Sequence, residues 1–160
     1  KVNPPLRTES DVHALREALA DGTIDIVATD HAPHPLEAKE CEWQEAAFGM
    51  LGLETALSIV QMTMVNSGLM SWQQVAERMS HKPASIGGYE HQGQRIEKGS
   101  FANLVVINPR LKWTVDRDLV LSKSSNTPYH GRELPGVVTH TFFKGKATLI
   151  NGSVTQMGGM

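Results

Sequence analysis

The stretch TIDIVATDHAPH, residues 23–34, decides how this 160-residue chain is read. Thr23 to Thr29 is short, β-branched and apolar towards its end, which predicts a strand. The strand stops abruptly at Asp30, and His31 and His34 follow around Ala32-Pro33. In α/β folds the groups that do chemistry stand on loops at the carboxyl ends of strands. A carboxylate in that place can ligate a divalent metal or take a proton from metal-bound water. Pro33 stiffens the loop, so His34 projects from a fixed position and could donate a hydrogen bond to a substrate carbonyl or carboxylate. The plainer reading is a loop-capping Asp with two polar loop histidines, and on spacing alone it stands equally well. Two protein ligands are also too few for a catalytic zinc, which takes about three plus a water.

Upstream, VNPPLR at residues 2–7 cannot be helical, because Pro4 and Pro5 forbid it and push Asn3 towards an extended backbone. TESDVHALREALADG, residues 8–22, reads as a helix. Thr8 or Ser10 can cap it, Val12, Leu15, Leu19 and Ala20 form an apolar stripe, and Gly22 ends it. Downstream, residues 35–48 read as a long loop with a charged middle, EAKECEWQE, where a short helix is possible. GLETALSIVQMTMVNSG, residues 52–68, is a second helix with Leu53, Leu57, Val60 or Gln61, and Met64 on one face. SWQQVAERMSHKPASIGG, residues 71–88, is a third. Ser71 caps it, Trp72, Val75, Ala76 and Met79 face inward, and Pro83 with Gly87-Gly88 breaks it. The methionines of these helices read as core filler.

The texture then changes. GSFANLVVINPRLKWTV (residues 99–115) and GVVTHTFFKGKATLINGSV (residues 136–154) are β-rich, with Gly, Asn-Pro and Asn-Gly punctuation. The boundary falls near residues 88–98, dividing the chain into 1–94 and 95–160. Alternating β and α in the first part suggests a parallel sheet or barrel. A whole (β/α)₈ barrel takes roughly 250 residues, so residues 1–94 hold about two of its units.

The chain is 40% hydrophobic and 20% charged, with a net charge of −2, and this ordinary balance offers no global basic surface to nucleic acid or an anionic membrane. No apolar run approaches the ~18 residues of a membrane span, and no secretory signal pattern is present. The single Cys41 cannot form an internal disulfide, so a reducing, cytoplasmic setting is expected.

Three motifs occur in order: KVNPPLR (1–7), TDHAPH (29–34) and FGMLGLET (48–55). IEKGSFANLVVI (96–107) and SSNTPYHGRELPGVVTHTFFKGK (124–146) follow them. Together they resemble the closing part of a cyclic amidohydrolase, most closely a dihydroorotase of the long bacterial type. The resemblance runs from Lys1 to about residue 155. It implies an α/β fold: the last two or so β/α units of a TIM-like amidohydrolase barrel over 1–94, and a small β-rich subdomain over 95–160. It implies reversible cyclisation of N-carbamoyl-L-aspartate to dihydroorotate, in the synthesis of pyrimidines.

By this resemblance Asp30 sits at the metal and shuttles the proton, taking it from the attacking water and giving it to the leaving amide nitrogen. His34 and Asn3 match substrate-binding residues, and Phe48-Gly49 match a pair whose backbone groups meet the ring. An amide side chain such as that of Asn3 both donates and accepts, which suits a ring with adjacent C=O and N–H groups. Without the resemblance, Asn3 is a turn residue before Pro and Phe48-Gly49 a helix entry. His31 is expected to bond within the loop, Arg7 to make a structural salt bridge, and SSNTPYHG to be a structural loop.

The family's zinc site of one or two ions also uses a His-x-His pair, further histidines and a carboxylated Lys or an Asp. No two of the seven His sit two apart here. The chain is therefore expected to be an incomplete fragment, inactive alone, whose open edges and apolar face drive self-association. Aspartate transcarbamoylase is a possible partner in this family. Allantoinase or hydantoinase activity is the alternative within the family, although those relatives usually carry Ser before Pro-Pro. A catalytically dead scaffold and a stand-alone interaction module are the non-enzymatic alternatives.

Overall fold

The computed structural model describes residues 1–155. Helix α1, Glu9–Asp21, begins where the sequence predicts. The Thr8 hydroxyl accepts from the Asp11 N–H at 3.4 Å, and the Asp11 carboxylate accepts from the Thr8 N–H at 3.1 Å. This reciprocal box satisfies two donors that no helical carbonyl can reach. Gly22 closes the helix at φ 97°, the left-handed turn that glycine adopts without penalty. Of the expected stripe, only Leu19 and Ala20 pack on the core, and Leu15 is exposed.

Helix α2, Leu53–Val60, runs directly into a π-turn, Gln61–Val65. Helix α3, Trp72–Ala76, a second π-turn, Glu77–His81, and helix α4, Lys82–Ile86, follow one another without a break. The Ser71–Gln74 capping box starts this rod. Pro83 does not break it, contrary to the expectation. Across the π-turn the Lys82 N–H reaches back to the Glu77 carbonyl, so Pro83 falls in the first turn of a new segment, where its missing N–H costs little. Val60, Met64, Met70 and Val75 form the buried centre of the helical part, and Leu57, Val65, Trp72 and Met79 pack around it. Ala76, expected to face inward, is exposed.

The segment expected as a strand, residues 23–29, forms no ladder. A strand is defined by neighbours that exchange backbone hydrogen bonds with it. This one meets a single parallel bridge, His31 to Met50, just past its end. Its place is held by packing and isolated bonds: Val27 joins the helical core and its N–H donates to the Arg78 carbonyl at 3.2 Å. The loop after it contains one short 3₁₀ turn, Leu36–Ala38.

Helix α4 ends at Ile86 and the sheet begins at Leu104. Strands β1 (Leu104–Thr114), β2 (Glu133–Phe143), β3 (Lys146–Ile150) and β4 (Ser153–Val154) form an antiparallel sheet in that order. Lys144-Gly145 and Asn151-Gly152 each take two successive positive φ angles, as tight hairpin turns of matching twist require.

The pairing of β1 with β2 is irregular between Asn108 and Lys112. Helix α2 and its π-turn dock onto this irregularity. Gln61, 2% exposed, donates from Nε2 to the Pro109 carbonyl at 2.8 Å. Ser58 Oγ donates to the Gly136 carbonyl at 3.1 Å and accepts from Trp113 Nε1 at 3.0 Å. A Cβ on Gly136, at φ 82°, would collide with Gln61 Oε1. Buried polar side chains thus join the helices to the sheet, each satisfying a backbone group that the irregular ladder leaves unpaired.

Two predictions follow from this packing. Gly136→Ala adds backbone strain to a collision and should cost about 2–4 kcal/mol, whereas Gly145→Ala, with open space around it, should cost only about 1 kcal/mol. Urea unfolding of the two variants checks the order, and equal costs would refute the docking described. The second concerns acid. The Thr8 hydroxyl and N–H hold the Asp11 carboxyl below its ordinary value of 3.8, and the Thr23 N–H and hydroxyl do the same for Asp21. A lowered folded value means stability that is in place above the ordinary pKa and is lost as pH falls through the folded one. Asp11→Asn should flatten the acid limb of a stability–pH curve below pH 4 and leave its neutral plateau shape unchanged.

Candidate active site

Two irregular segments, residues 29–34 and 47–52, lie side by side at the end of the expected strand. With one bridge between them, most of their backbone groups need partners from elsewhere. Asp30 opens the first segment at φ 47°, a left-handed conformation that Asp tolerates better than most residues, and its side chain is exposed. His31 turns the other way. Its Nδ1 accepts from the N–H groups of Gly52 at 3.1 Å and Leu53 at 3.4 Å, the first donors of helix α2. The ring proton is then on Nε2, and His31 bonds to the neighbouring segment rather than within its own loop.

His34, Phe48 and Gly49 are brought together. His34 Nε2 donates to the Phe48 carbonyl at 2.8 Å. That donor, expected to face a substrate, is engaged within the protein in this conformation. Gly49 is buried at φ 125°, where a Cβ would overlap that of Ala32. Its freedom therefore serves a close approach between the two segments. The Gly49 N–H donates to the Lys1 carbonyl at 2.9 Å, which draws the first residues of the chain to this loop. The Gly49 carbonyl accepts from Lys39 Nζ at 2.9 Å and from Asn126 Nδ2 at 3.4 Å. The Phe48 ring is half exposed and lies under Lys1 Nζ, 4.5 Å from its centroid.

A cavity of about 270 Å³ opens beside this cluster, lined in part by Lys1, His34, Lys39, Gly49, Arg117 and Asn126. Asp30, Asn3 and Phe48 lie outside that lining. Asn3 is exposed two residues along from the Lys1 contact, and its bond to Pro4 is cis.

Two residues with a clear place here carry no signal in the sequence. Lys39 sits in the charged loop and donates to both the Ala47 and Gly49 carbonyls. Asn126 lies in the SSNTPYHG loop between β1 and β2, more than ninety positions from its partners Ala32 and His34. Nearby, Glu54 accepts from the N–H groups of Leu121 at 3.0 Å and Ser122 at 3.2 Å, clasping the same connection to the start of α2. Only the Asn-Thr-Pro turn chemistry could have drawn attention to Asn126.

The donor set decides what metal the chain can hold. Among the described residues no three His, Cys, Asp or Glu side chains converge on one point. Asp30 offers a single exposed carboxylate, which does not fit a zinc site by itself. Arg7 pairs with Asp11 at 3.6 Å, a structural contact as expected.

Gly49→Ala is the sharpest test of the close approach. The new methyl group and the strained backbone together should destabilise the protein by about 2 kcal/mol or more and expose the His34 backbone amide to exchange. Unchanged unfolding and unchanged exchange would count against the geometry.

The model of the amidohydrolase family matches residues 3–148. A dihydroorotase of Streptomyces coelicolor is 63% identical over 155 residues, covering 97% of this chain and 36% of its own length. A dihydroorotase of Mycobacterium tuberculosis is 51% identical over 154 residues, covering 96% and 36%. Among solved structures, an L-hydantoinase of Arthrobacter aurescens superposes with a TM-score of 0.89 at 33% identity, over 97% of this chain and 35% of its own. A D-hydantoinase of a Thermus species follows at 0.86 and 26%, over 96% and 34%. The chain therefore spans about a third of the length of these relatives. These likenesses bear out the α/β reading of barrel-type units followed by a β unit. The match over nearly its whole length means that the chain belongs to the amidohydrolase family.

Proposed function

We propose that the whole protein is a dihydroorotase, which interconverts N-carbamoyl-L-aspartate and dihydroorotate. The observation that carries this reading is the 63% identity to a dihydroorotase across nearly the entire chain, and the motif resemblance of Asp30, His34, Asn3 and Phe48-Gly49 agrees with it. In ring opening, water adds to the ring carbonyl, the C–N bond breaks, and the nitrogen leaves with a proton. Asp30 takes the proton from the attacking water and delivers it to that nitrogen; ring closure runs the same transfer backwards. His34, Asn3 and the Phe48-Gly49 backbone hold the ring. For His34 this requires a choice, because a substrate oxygen can take its Nε2 proton only in place of the Phe48 carbonyl.

Zinc belongs to this reading with Asp30 as one ligand among others supplied by the rest of the protein. Residues 1–94 as barrel and 95–160 as β subdomain also belong to it; residues 156–160 lie outside the described part. So does self-association, supported by exposed large apolar side chains such as Leu6 and Ile96. Aspartate transcarbamoylase is a partner the family permits. Among the described residues no helix is long and apolar enough to cross a membrane. A cytoplasmic setting is supported by the lone, exposed Cys41. The hydantoinase reading draws on the TM-score of 0.89, but at 33% identity it has the weaker claim.

The test is turnover by the complete gene product on dihydroorotate, allantoin and a hydantoin, beside the 160-residue chain. Turnover of dihydroorotate by the long form alone is expected. Asp30→Asn should lower kcat about 10²- to 10⁴-fold, and His34→Ala should act mainly on KM. Preference for a hydantoin would reject the substrate assignment, and turnover by the short chain would reject the account of the metal.

A further inference from the structure

We propose that Asn126 is a positioning residue for the ring-binding loop, reaching into it from the connection between β1 and β2. The inference rests on the dihydroorotase reading for its substrate and on hydrogen bonds alone for its geometry.

Segments 29–34 and 47–52 share one backbone bridge, to which His31 and His34 add side-chain bonds. Asn126 joins them. Its Nδ2 donates to the Ala32 carbonyl at 3.0 Å and more weakly to the Gly49 carbonyl at 3.4 Å. Its Oδ1 accepts from the His34 N–H at 3.2 Å, and its backbone carbonyl accepts from the Leu51 N–H at 3.2 Å. One residue thereby satisfies four backbone groups on both sides of the bridge, much as a further strand would. The side chain must be an amide to do this. It donates on one side and accepts on the other; a carboxylate would turn an oxygen towards two carbonyls.

The effect on function is specific. The bond to the His34 N–H fixes where the imidazole starts, and the bond to the Gly49 carbonyl fixes the peptide that follows Gly49. Asp30, where the proton moves, is not among its partners. Loosening Asn126 should therefore weaken ring binding and leave the chemical step nearly intact. The Glu54 clasp provides a control, because it holds the same connection at Leu121 and Ser122 without touching the loop that carries His34.

The experiment uses the complete protein. Asn126→Asp should raise KM for dihydroorotate about 10- to 100-fold with kcat within about threefold, the loss of one or two directed hydrogen bonds. Glu54→Gln should leave KM unchanged even where it lowers the unfolding midpoint. Should Asn126→Asp not fold, Asn126→Ser takes its place. Unchanged KM in the Asn126 variant, an equal rise in the Glu54 variant, or a fall confined to kcat would overturn the proposal. Amide exchange gives a second readout that needs no turnover: the His34 and Leu51 amides, which donate to Asn126, should exchange faster in Asn126→Asp and not in Glu54→Gln. If wild-type protein does not act on dihydroorotate, the functional reading fails, and exchange alone still upholds or rejects the positioning role.

Discussion

Backbone groups without a ladder are the constraint on which this structure turns. Around residues 29–34 and 47–52 the chain is neither helix nor sheet, so its N–H and C=O groups must be paired one at a time. Side chains take the place of strands: His31 receives the first donors of α2, Lys39 and Asn126 serve the Gly49 carbonyl, and His34 serves that of Phe48. His34, Phe48 and Gly49, three of the residues expected to handle substrate, are thereby attached to bonds that hold the loop together.

The same logic joins the helices to the sheet. Ser58 and Gln61 are polar residues on the most buried face of the helical part, and each finds a carbonyl where β1 and β2 fall out of register. An apolar face would have packed there equally closely but would have left those carbonyls unpaired. The π-turns contribute by rotating the helix at the point of need: one begins at Gln61, and the other admits Pro83. Through this joint the sheet and its long connection are brought within reach of the candidate site.

What could be read in the residues depended on how local the cause was. The Thr8 and Ser71 caps, the Gly22 stop and the Lys144-Gly145 and Asn151-Gly152 turns each act within a few residues, and all stand where the sequence puts them. The Pro83 break was misread because a hydrogen-bond register can shift by one residue, a change that no side chain announces. Residues 23–29 have the composition of a strand, but composition supplies no neighbour, and only an isolated bridge forms. Of the candidate site, the grouping of His34 with Phe48-Gly49 was legible through its motifs. Asn126 and Lys39 were not, since nothing local to either position announces the distant backbone groups that it serves.

The connection between β1 and β2 exceeds the ~12–15 residues beyond which unstructured links are uncommon. It is pinned at its base by the Val115–Arg132 backbone pair, at Leu121-Ser122 by Glu54, and at Asn126 by the loop it serves. In chain entropy it is therefore three short loops rather than one long one. Closing a loop costs free energy that rises only slowly with length, so residues added between two pins are cheap. A single residue inserted between Ser122 and Asn126 would shift one pin against the next. The spacing of those two points, and not the length of the whole connection, is what natural variation in this segment has to preserve.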